Sequence, residues 1–275
     1  MYSPAVGMAG NTTLNRLHLY HCTMITIGLL GCGNIGHIIA KHADSVKISA
    51  LFDQVPEKAK ELASVCGGTA YTEFNSFIAA DFDLVLEAAS VKAVKLYGQK
   101  ILARKKNLII MSGGALSDTT FREQLVSTAS NHGRRIYIPS GAIFGLDNVK
   151  IGQISSISKL LLKTTKNPAS LGITASEKTL VFRGKANECI KEFPKNVNVS
   201  VALGLAAGRD ADIELWADPD VDRNVHELTI EGDFGEAWIR VKNLPSPDNP
   251  ATSYLAALSI LTLLKNLKNP LVIGT

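Results

Sequence analysis

Ile25-Thr26-Ile27-Gly28-Leu29-Leu30-Gly31-Cys32-Gly33-Asn34-Ile35-Gly36 is the stretch on which the fold depends. An apolar run enters a turn with three spaced glycines and leaves as the amphipathic segment 35–42. Each glycine has its own task. The first lets the chain turn tightly, the second lets the backbone approach a pyrophosphate, and the third lets the helix sit close on the strand. The pyrophosphate belongs at the positive N-terminus of the helix that starts near Asn34. Taken alone, the pattern also fits a purely structural turn. The context decides for a nicotinamide dinucleotide: a strand before, a helix after, a second apolar strand at 46–52 and then Asp53. Gly31, Gly33, Asn34 and Ile35 are the expected phosphate contacts.

An acid at the end of the second strand accepts both ribose hydroxyls and repels a 2′-phosphate. No arginine adjoins Asp53, since Gln54-Val55-Pro56 follow, so NAD is expected over NADP. Farther along, Glu87-Ala88-Ala89-Ser90 ends a strand in small residues, and Met111-Ser112-Gly113-Gly114-Ala115 repeats the device. Such ends leave room at the carboxyl edge of a sheet, where ligands bind in these folds. Tight packing of a strand end explains the same residues, and the repetition favours cofactor contact at Ala88 and Ala89.

Working outward, strands expected at 25–30, 48–52, 84–87, 108–111 and 136–138 alternate with helices at 35–42, 56–66, 74–79, 91–105 and 119–131. That alternation marks a parallel sheet of βαβ units. After Pro139 the texture changes. Strand-like runs at 157–164, 179–184, 212–217, 225–231 and 236–242, with helical stretches at 186–193 and 199–207, predict antiparallel strands with helices to one side. Asn249 then suits an N-cap and Pro250 a first helical turn, before an apolar helix over 254–267. Its apolar core is too short and interrupted to span a bilayer. The expected fold class is α/β: a Rossmann dinucleotide-binding domain at 24–140, an α+β substrate domain at 141–245, and a C-terminal helix within 246–275 that returns to the first domain.

The chain has 275 residues, 46% apolar and 20% charged, with a net charge of +4 spread without a basic block. This composition fits a soluble globular chain and argues against a nucleic-acid partner. Arg104-Lys105-Lys106 reads as the end of a helix. Four cysteines show no metal-ligand spacing and read as reduced thiols in a cytoplasm, with no metal expected. Residues 1–23 lack a sustained period and a signal-peptide pattern, and Met24 stands just before the first strand. They read as a disordered extension or an upstream start.

Nicotinamide chemistry asks the protein for positioning, a proton carrier and charge that matches the substrate. Of six histidines, His18 and His21 fall in the extension, His37 and His42 on the first helix, and His132 in a turn. His226 opens a strand after an acid-rich turn, where Asp218, Asp220 or Asp222 could orient its ring. A catalytic histidine and one with a structural hydrogen bond fit equally at this point. Lys166 and Arg223 are the cations considered for a substrate carboxylate, against a reading as solvated surface charges. Asn196 and Asn198 precede an apolar helix; either caps it or contacts the nicotinamide carboxamide.

Several segments together resemble the L-aspartate dehydrogenase family, in the family's order and from Met24 onward. They are the glycine turn, Glu87-Ala88-Ala89, Ser112-Gly113-Gly114-Ala115-Leu116-Ser117, Ile138-Pro139-Ser140-Gly141-Ala142-Ile143, Phe193-Pro194-Lys195-Asn196-Val197-Asn198-Val199, Ala217-Asp218-Pro219, Asn224-Val225-His226-Glu227 and Asn249-Pro250-Ala251-Thr252-Ser253. The resemblance implies oxidation of L-aspartate to iminoaspartate with NAD or NADP, and hydrolysis of the imine to oxaloacetate and ammonia. It implies His226 as the catalytic residue, with Ala142 and Asn198 on the cofactor. It further implies a homodimer and a link to quinolinate synthesis. Two departures stand out. Ser112-Gly113-Gly114-Ala115 replaces the family's frequent Ser-Val-Gly-Ala, which is expected to loosen that strand end. Thr165-Lys166-Asn167-Pro168 lacks the arginine of an Arg-Lys-Pro stretch, which bears on how a substrate carboxylate is held. The alternatives weighed are a reductase of dihydrodipicolinate-reductase type, whose paired histidines and lysine are missing near 157–164, and a dinucleotide-binding sensor without catalysis.

Overall fold

The apolar run Ile25–Leu30 is strand β1, and the helix that follows its glycine turn is α1 (Asn34–His42). The computed structural model describes residues 24–42, 44–193, 197–246 and 249–274. The expected extension 1–23, with His18 and His21, lies outside the described residues, as does Asn196. After α1 come β2 (Val46–Phe52), α2 (Pro56–Cys66), β3 (Thr69–Tyr71), α3 (Phe74–Ala79), β4 (Leu84–Glu87), α4 (Val91–Ala103) and β5 (Asn107–Ile110). A 3₁₀ turn (Gly113–Ser117), α5 (Thr119–Asn131) and β6 (Ile136–Tyr137) complete the unit. All six strands are parallel, in the order β3-β2-β1-β4-β5-β6. The order reverses between β1 and β4, which opens a crevice at the carboxyl edge.

These strands are nearly continuous apolar runs because helices cover both faces. One face carries Phe52, Phe74, Phe77, Phe82, Leu102 and Leu125, and the other Ile27, Leu29, Ile39 and Leu62. Pro56 occupies the start of α2, where its missing N–H costs nothing, and Gly67 ends that helix with φ of 73°. Lys106, just past α4, donates from Nζ to the carbonyls of Ala80 (2.9 Å) and Phe82 (2.7 Å) and lies 3.9 Å from the Phe82 ring centre. The last lysine of the basic cluster thus ties the helix end to the sheet.

The second unit opens with α6 (Leu146–Val149) and a 3₁₀ turn (Lys150–Gln153). Then follow β7 (Ile157–Lys166), α7 (Pro168–Leu171), β8 (Thr179–Lys185), α8 (Ala186–Glu192), α9 (Val197–Ala207), β9 (Asp212–Ala217), β10 (Val225–Gly232) and β11 (Gly235–Lys242). The sheet order is β11-β10-β7-β9-β8. It is mixed rather than wholly antiparallel as expected, because β7 and β9 run parallel. The chain between them includes α8 and α9, and a helical crossover of this kind returns the chain in the same direction. One face packs Leu160, Leu162, Ile213, Leu228 and Ile230 against Leu203, Ala207 and Cys189. The other face is charged, with Lys159 on Glu231 (2.7 Å), Lys163 on Glu227 (3.4 Å) and Arg183 on Glu214 (3.0 Å). Trp238 on the edge strand is exposed.

The C-terminal segment corrects one expectation. Asn249 does not cap a helix; it begins β13 (Asn249–Ser253), which pairs with β12 (Pro245–Ser246). Helix α10 (Tyr254–Asn266) starts only after Ser253. Even Ser253 does not cap it, because its hydroxyl donates to Asn243 Oδ1 at 2.7 Å. The helix returns to the first unit as expected, where Ile260 and Leu264 are fully buried against the β1–α1 side of the sheet. Among the described residues no helix is long and apolar enough to cross a membrane.

Candidate active site

Three glycines shape the turn after β1, each under a different constraint. Gly31 has φ of 101°, and a Cβ there would lie 2.7 Å from the backbone of Ala88. Gly36 has its α-carbon so close to the turn that a Cβ would approach the Gly31 carbonyl oxygen to 2.9 Å. At Gly33 a Cβ would meet no protein atom within 4 Å. Protein packing therefore explains the first and third glycines and leaves the second to a ligand. The turn is pinned by Asp53, whose carboxylate accepts the N–H of Cys32 (2.8 Å) and of Val55 (2.9 Å). Asn34 and Ile35 form the first turn of α1, where backbone N–H groups have no partner within the helix. A cavity of about 250 Å³ lies here, lined by Gly31, Gly33, Asp53, Lys58, Ala88 and Ala89. These residues fit the ribose and pyrophosphate of a dinucleotide. Burial, then the neighbouring Asp53, pushes the Cys32 thiol up to about 12, so it is inert.

The adjoining strand ends are tied together by Glu87. This fully buried carboxylate accepts N–H groups from Ala89 (2.8 Å), Ser90 (2.9 Å), Met111 (3.1 Å) and Ser112 (3.0 Å), and the Ser112 hydroxyl (2.8 Å). Burial raises its pKa against the pull of these donors. The Ser112-Gly113-Gly114 end is therefore held rather than loosened. It becomes a 3₁₀ turn, in which the Gly114 N–H donates to Asn198 Oδ1 at 2.9 Å. Through that bond α9 of the second unit is joined to the carboxyl edge of the first.

Between the units lies a second cavity of about 260 Å³, lined by residues that include Met111, Ser140, Ala142, Thr164, Lys166, Asn198, Asn224 and His226. His226 on β10 is directly opposite Thr164 on β7, both are buried, and Thr164 Oγ1 lies 2.9 Å from His226 Nδ1. The imidazole titrates at about 3 because burial strips its cation of water and the Lys166 ammonium repels it. Burial also lowers the pKa of Lys166. A neutral imidazole and a half-buried ammonium can together move a proton and hold an anion. Asn243, buried behind this cleft, donates from Nδ2 to the Ala142 carbonyl (3.0 Å), accepts from Ser253 and donates its N–H to the Asn224 carbonyl (2.9 Å).

The structure brings His226, Lys166, Asn198 and Ala142 to one cleft, and Gly31, Gly33, Asp53, Ala88 and Ala89 to the neighbouring cavity. It does not bring Arg223 to either. That guanidinium forms an ion pair with Asp222 and lines a smaller cavity of about 100 Å³ beside Asn167 and Ser170. Nor do the acids of the preceding turn orient His226. Asp218 accepts the Asp220 N–H (3.0 Å) and pairs with Lys178 (3.4 Å). His37, His42 and His132 do not line the cleft. Thr164, Asn243 and Lys58 escaped the sequence reading. For Thr164 a signal was there: on the inward face of β7, Leu160 and Leu162 give way to Thr164 and Lys166. Asn243 and Lys58 carried no such signal.

Comparison with known proteins adds to this geometry. Residues 147–267 match the family described as "Aspartate dehydrogenase, C-terminal", and residues 31–139 match "Homoserine dehydrogenase, NAD binding domain". The L-aspartate dehydrogenase of Methanospirillum hungatei is 63% identical over 252 residues, which cover 92% of this chain and 100% of that one. The L-aspartate dehydrogenase of Methanothermobacter thermautotrophicus is 43% identical, covering 92% of this chain and 99% of its own. Among solved structures, aspartate dehydrogenase from Thermotoga maritima superposes with a TM-score of 0.78 at 33% identity, covering 91% of this chain and 99% of that one.

Proposed function

Since the chain belongs to the L-aspartate dehydrogenase family, we propose that it oxidises L-aspartate to iminoaspartate with NAD in preference to NADP. The imine then hydrolyses to oxaloacetate and ammonia. The observation that carries the reading is the cleft, where a neutral imidazole and a half-buried ammonium face the carboxyl edge of the dinucleotide sheet. A bound nicotinamide supplies the hydride acceptor.

The residues then take these roles. Gly31, Gly33 and the first amides of α1 at Asn34 and Ile35 hold the pyrophosphate, Asp53 the ribose, and Ala88 and Ala89 flank it. Ala142 and Asn198 lie beside the nicotinamide. Lys166 meets a substrate carboxylate. His226 takes a proton from the substrate ammonium at Nε2, freeing the nitrogen lone pair that forms the C=N bond. Once that proton has passed to solvent, the ring takes one from the water that adds to the imine and returns it to the nitrogen, which leaves as ammonia. Two substrate carboxylates nearby raise the basicity of the ring, since an opposite charge favours its protonated form. Arg223 is left out, its guanidinium being engaged by Asp222. A homodimer, a cytoplasmic location and delivery of iminoaspartate to quinolinate synthesis complete the reading on family likeness.

The test follows reduction of NAD and of NADP with L-aspartate, L-glutamate, L-alanine and D-aspartate. Turnover confined to L-aspartate, and higher with NAD at equal concentration, is the expected result. His226→Ala is expected to lower turnover by on the order of 10²–10⁴ while NADH still binds. Near-normal turnover in that variant removes His226 from the mechanism.

A further inference from the structure

We propose that Thr164 is a positioning residue for the reaction: its buried hydroxyl accepts the Nδ1–H of His226 and so presents the Nε2 lone pair to the cleft. The inference rests on the reading of His226 as the proton carrier. Its geometry is independent of that reading. The two residues are paired in the antiparallel register of β7 and β10, and the hydroxyl oxygen lies 2.9 Å from Nδ1. Each residue is 6% exposed, so the pair is largely shielded from bulk water. With Nδ1 engaged at the sheet, Nε2 is the nitrogen left for the cavity that His226 lines.

Threonine suits the task because β-branching leaves its χ1 stiff, and a strand position fixes where the hydroxyl stands. The imidazole needs such a guide, since its two nitrogens exchange roles with the tautomer. Among the described residues, polar groups from several neighbouring elements line the cavity with the ring, Ser140 and Ser253 among them. From β7 they are Thr164 and Lys166, from α9 Asn198, and from the loop before β10 Asn224. Val241 stands opposite on β11. Asp218 is committed to Lys178 and the Asp220 N–H, and Asp222 to Arg223. A neutral hydroxyl orients the ring without supplying the negative charge that a carboxylate would. Consistently, burial and Lys166 leave the ring uncharged at neutral pH.

The experiment compares Thr164→Val, Thr164→Ser and His226→Ala in the full chain, by pH profiles of turnover with L-aspartate and NAD and by NADH titration. Thr164→Val keeps the shape and removes the hydroxyl. Its turnover is expected to fall by on the order of 10–100-fold with a displaced pH profile, as for a misplaced reacting group, and with NADH affinity unchanged. Thr164→Ser is expected to restore most of the loss. A wild-type rate and pH profile in Thr164→Val, beside an inactive His226→Ala, overturns the proposal and leaves the role of His226 intact. An active His226→Ala overturns both. Should Thr164→Val fail to fold, ¹H–¹⁵N correlation of His226 in the wild-type protein decides: a proton on Nδ1 supports the proposal, and one on Nε2 overturns it.

Discussion

At His226 two effects act in one direction: loss of hydration and repulsion from Lys166 carry the ring from 6.5 to about 3. An unfolded chain takes up a proton here near pH 6.5, and the folded chain does not until about pH 3. Between those values the unfolded state holds more protons, so stability falls as pH falls through the window, by at most about 1.4 kcal/mol per pH unit. His226→Gln removes this contribution. Denaturant unfolding at pH 6.5 and 4.5 is expected to show the wild type losing about 2 kcal/mol more than the variant, and equal losses would refute it. The position of this histidine was legible in the sequence, because its segment is recognisable and it opens a strand. Its partner was not. Asp218, Asp220 and Asp222 are near it along the chain, whereas Thr164 reaches it only through strand pairing across 62 residues.

Among the elements, the β1–α1 turn separates stability from binding. Gly36→Ala drives a methyl against the Gly31 carbonyl at 2.9 Å and Leu62 at 3.3 Å, and is expected to cost about 1–3 kcal/mol. Gly33→Ala meets no protein atom within 4 Å and needs no positive φ. It is expected to leave stability within about 0.5 kcal/mol of wild type, while NADH affinity drops at least about 10-fold. Thermal denaturation and NADH titration of both variants check the contrast; an unaltered affinity in Gly33→Ala would refute the ligand role. Most elements were legible because their apolar period is long enough to read. The three-residue β3 was not, being shorter than a period can register, nor was the β12–β13 pair, because Asn249-Pro250 reads equally well as a helix start. The direction of β9 relative to β7 was not either, since an alternating pattern is the same read from both ends.

For the whole molecule, α10 matters more than its distance from the cleft suggests. Ile260 and Leu264 fill the face of the first sheet opposite the phenylalanine cluster, alongside Ile27, Leu29 and Leu62. Ile260→Ala is expected to lower unfolding free energy by about 2–4 kcal/mol in a single transition, with turnover per folded molecule retained. A separate early transition for either half would contradict the coupling. That an apolar helix follows the second unit and returns to the first was legible; which face of the sheet it covers was not, because that docking joins residues more than two hundred positions apart. The same packing has a consequence for synthesis on the ribosome. Domains generally fold in the order in which they emerge. Here a nascent chain that has passed only residue 140 holds every strand of its first sheet, but one face is covered by α1 and α2 alone until α10 has been translated. The N-terminal half is thus made first and completed last, and a ribosome that stalls within the second half releases a product with an unfinished core.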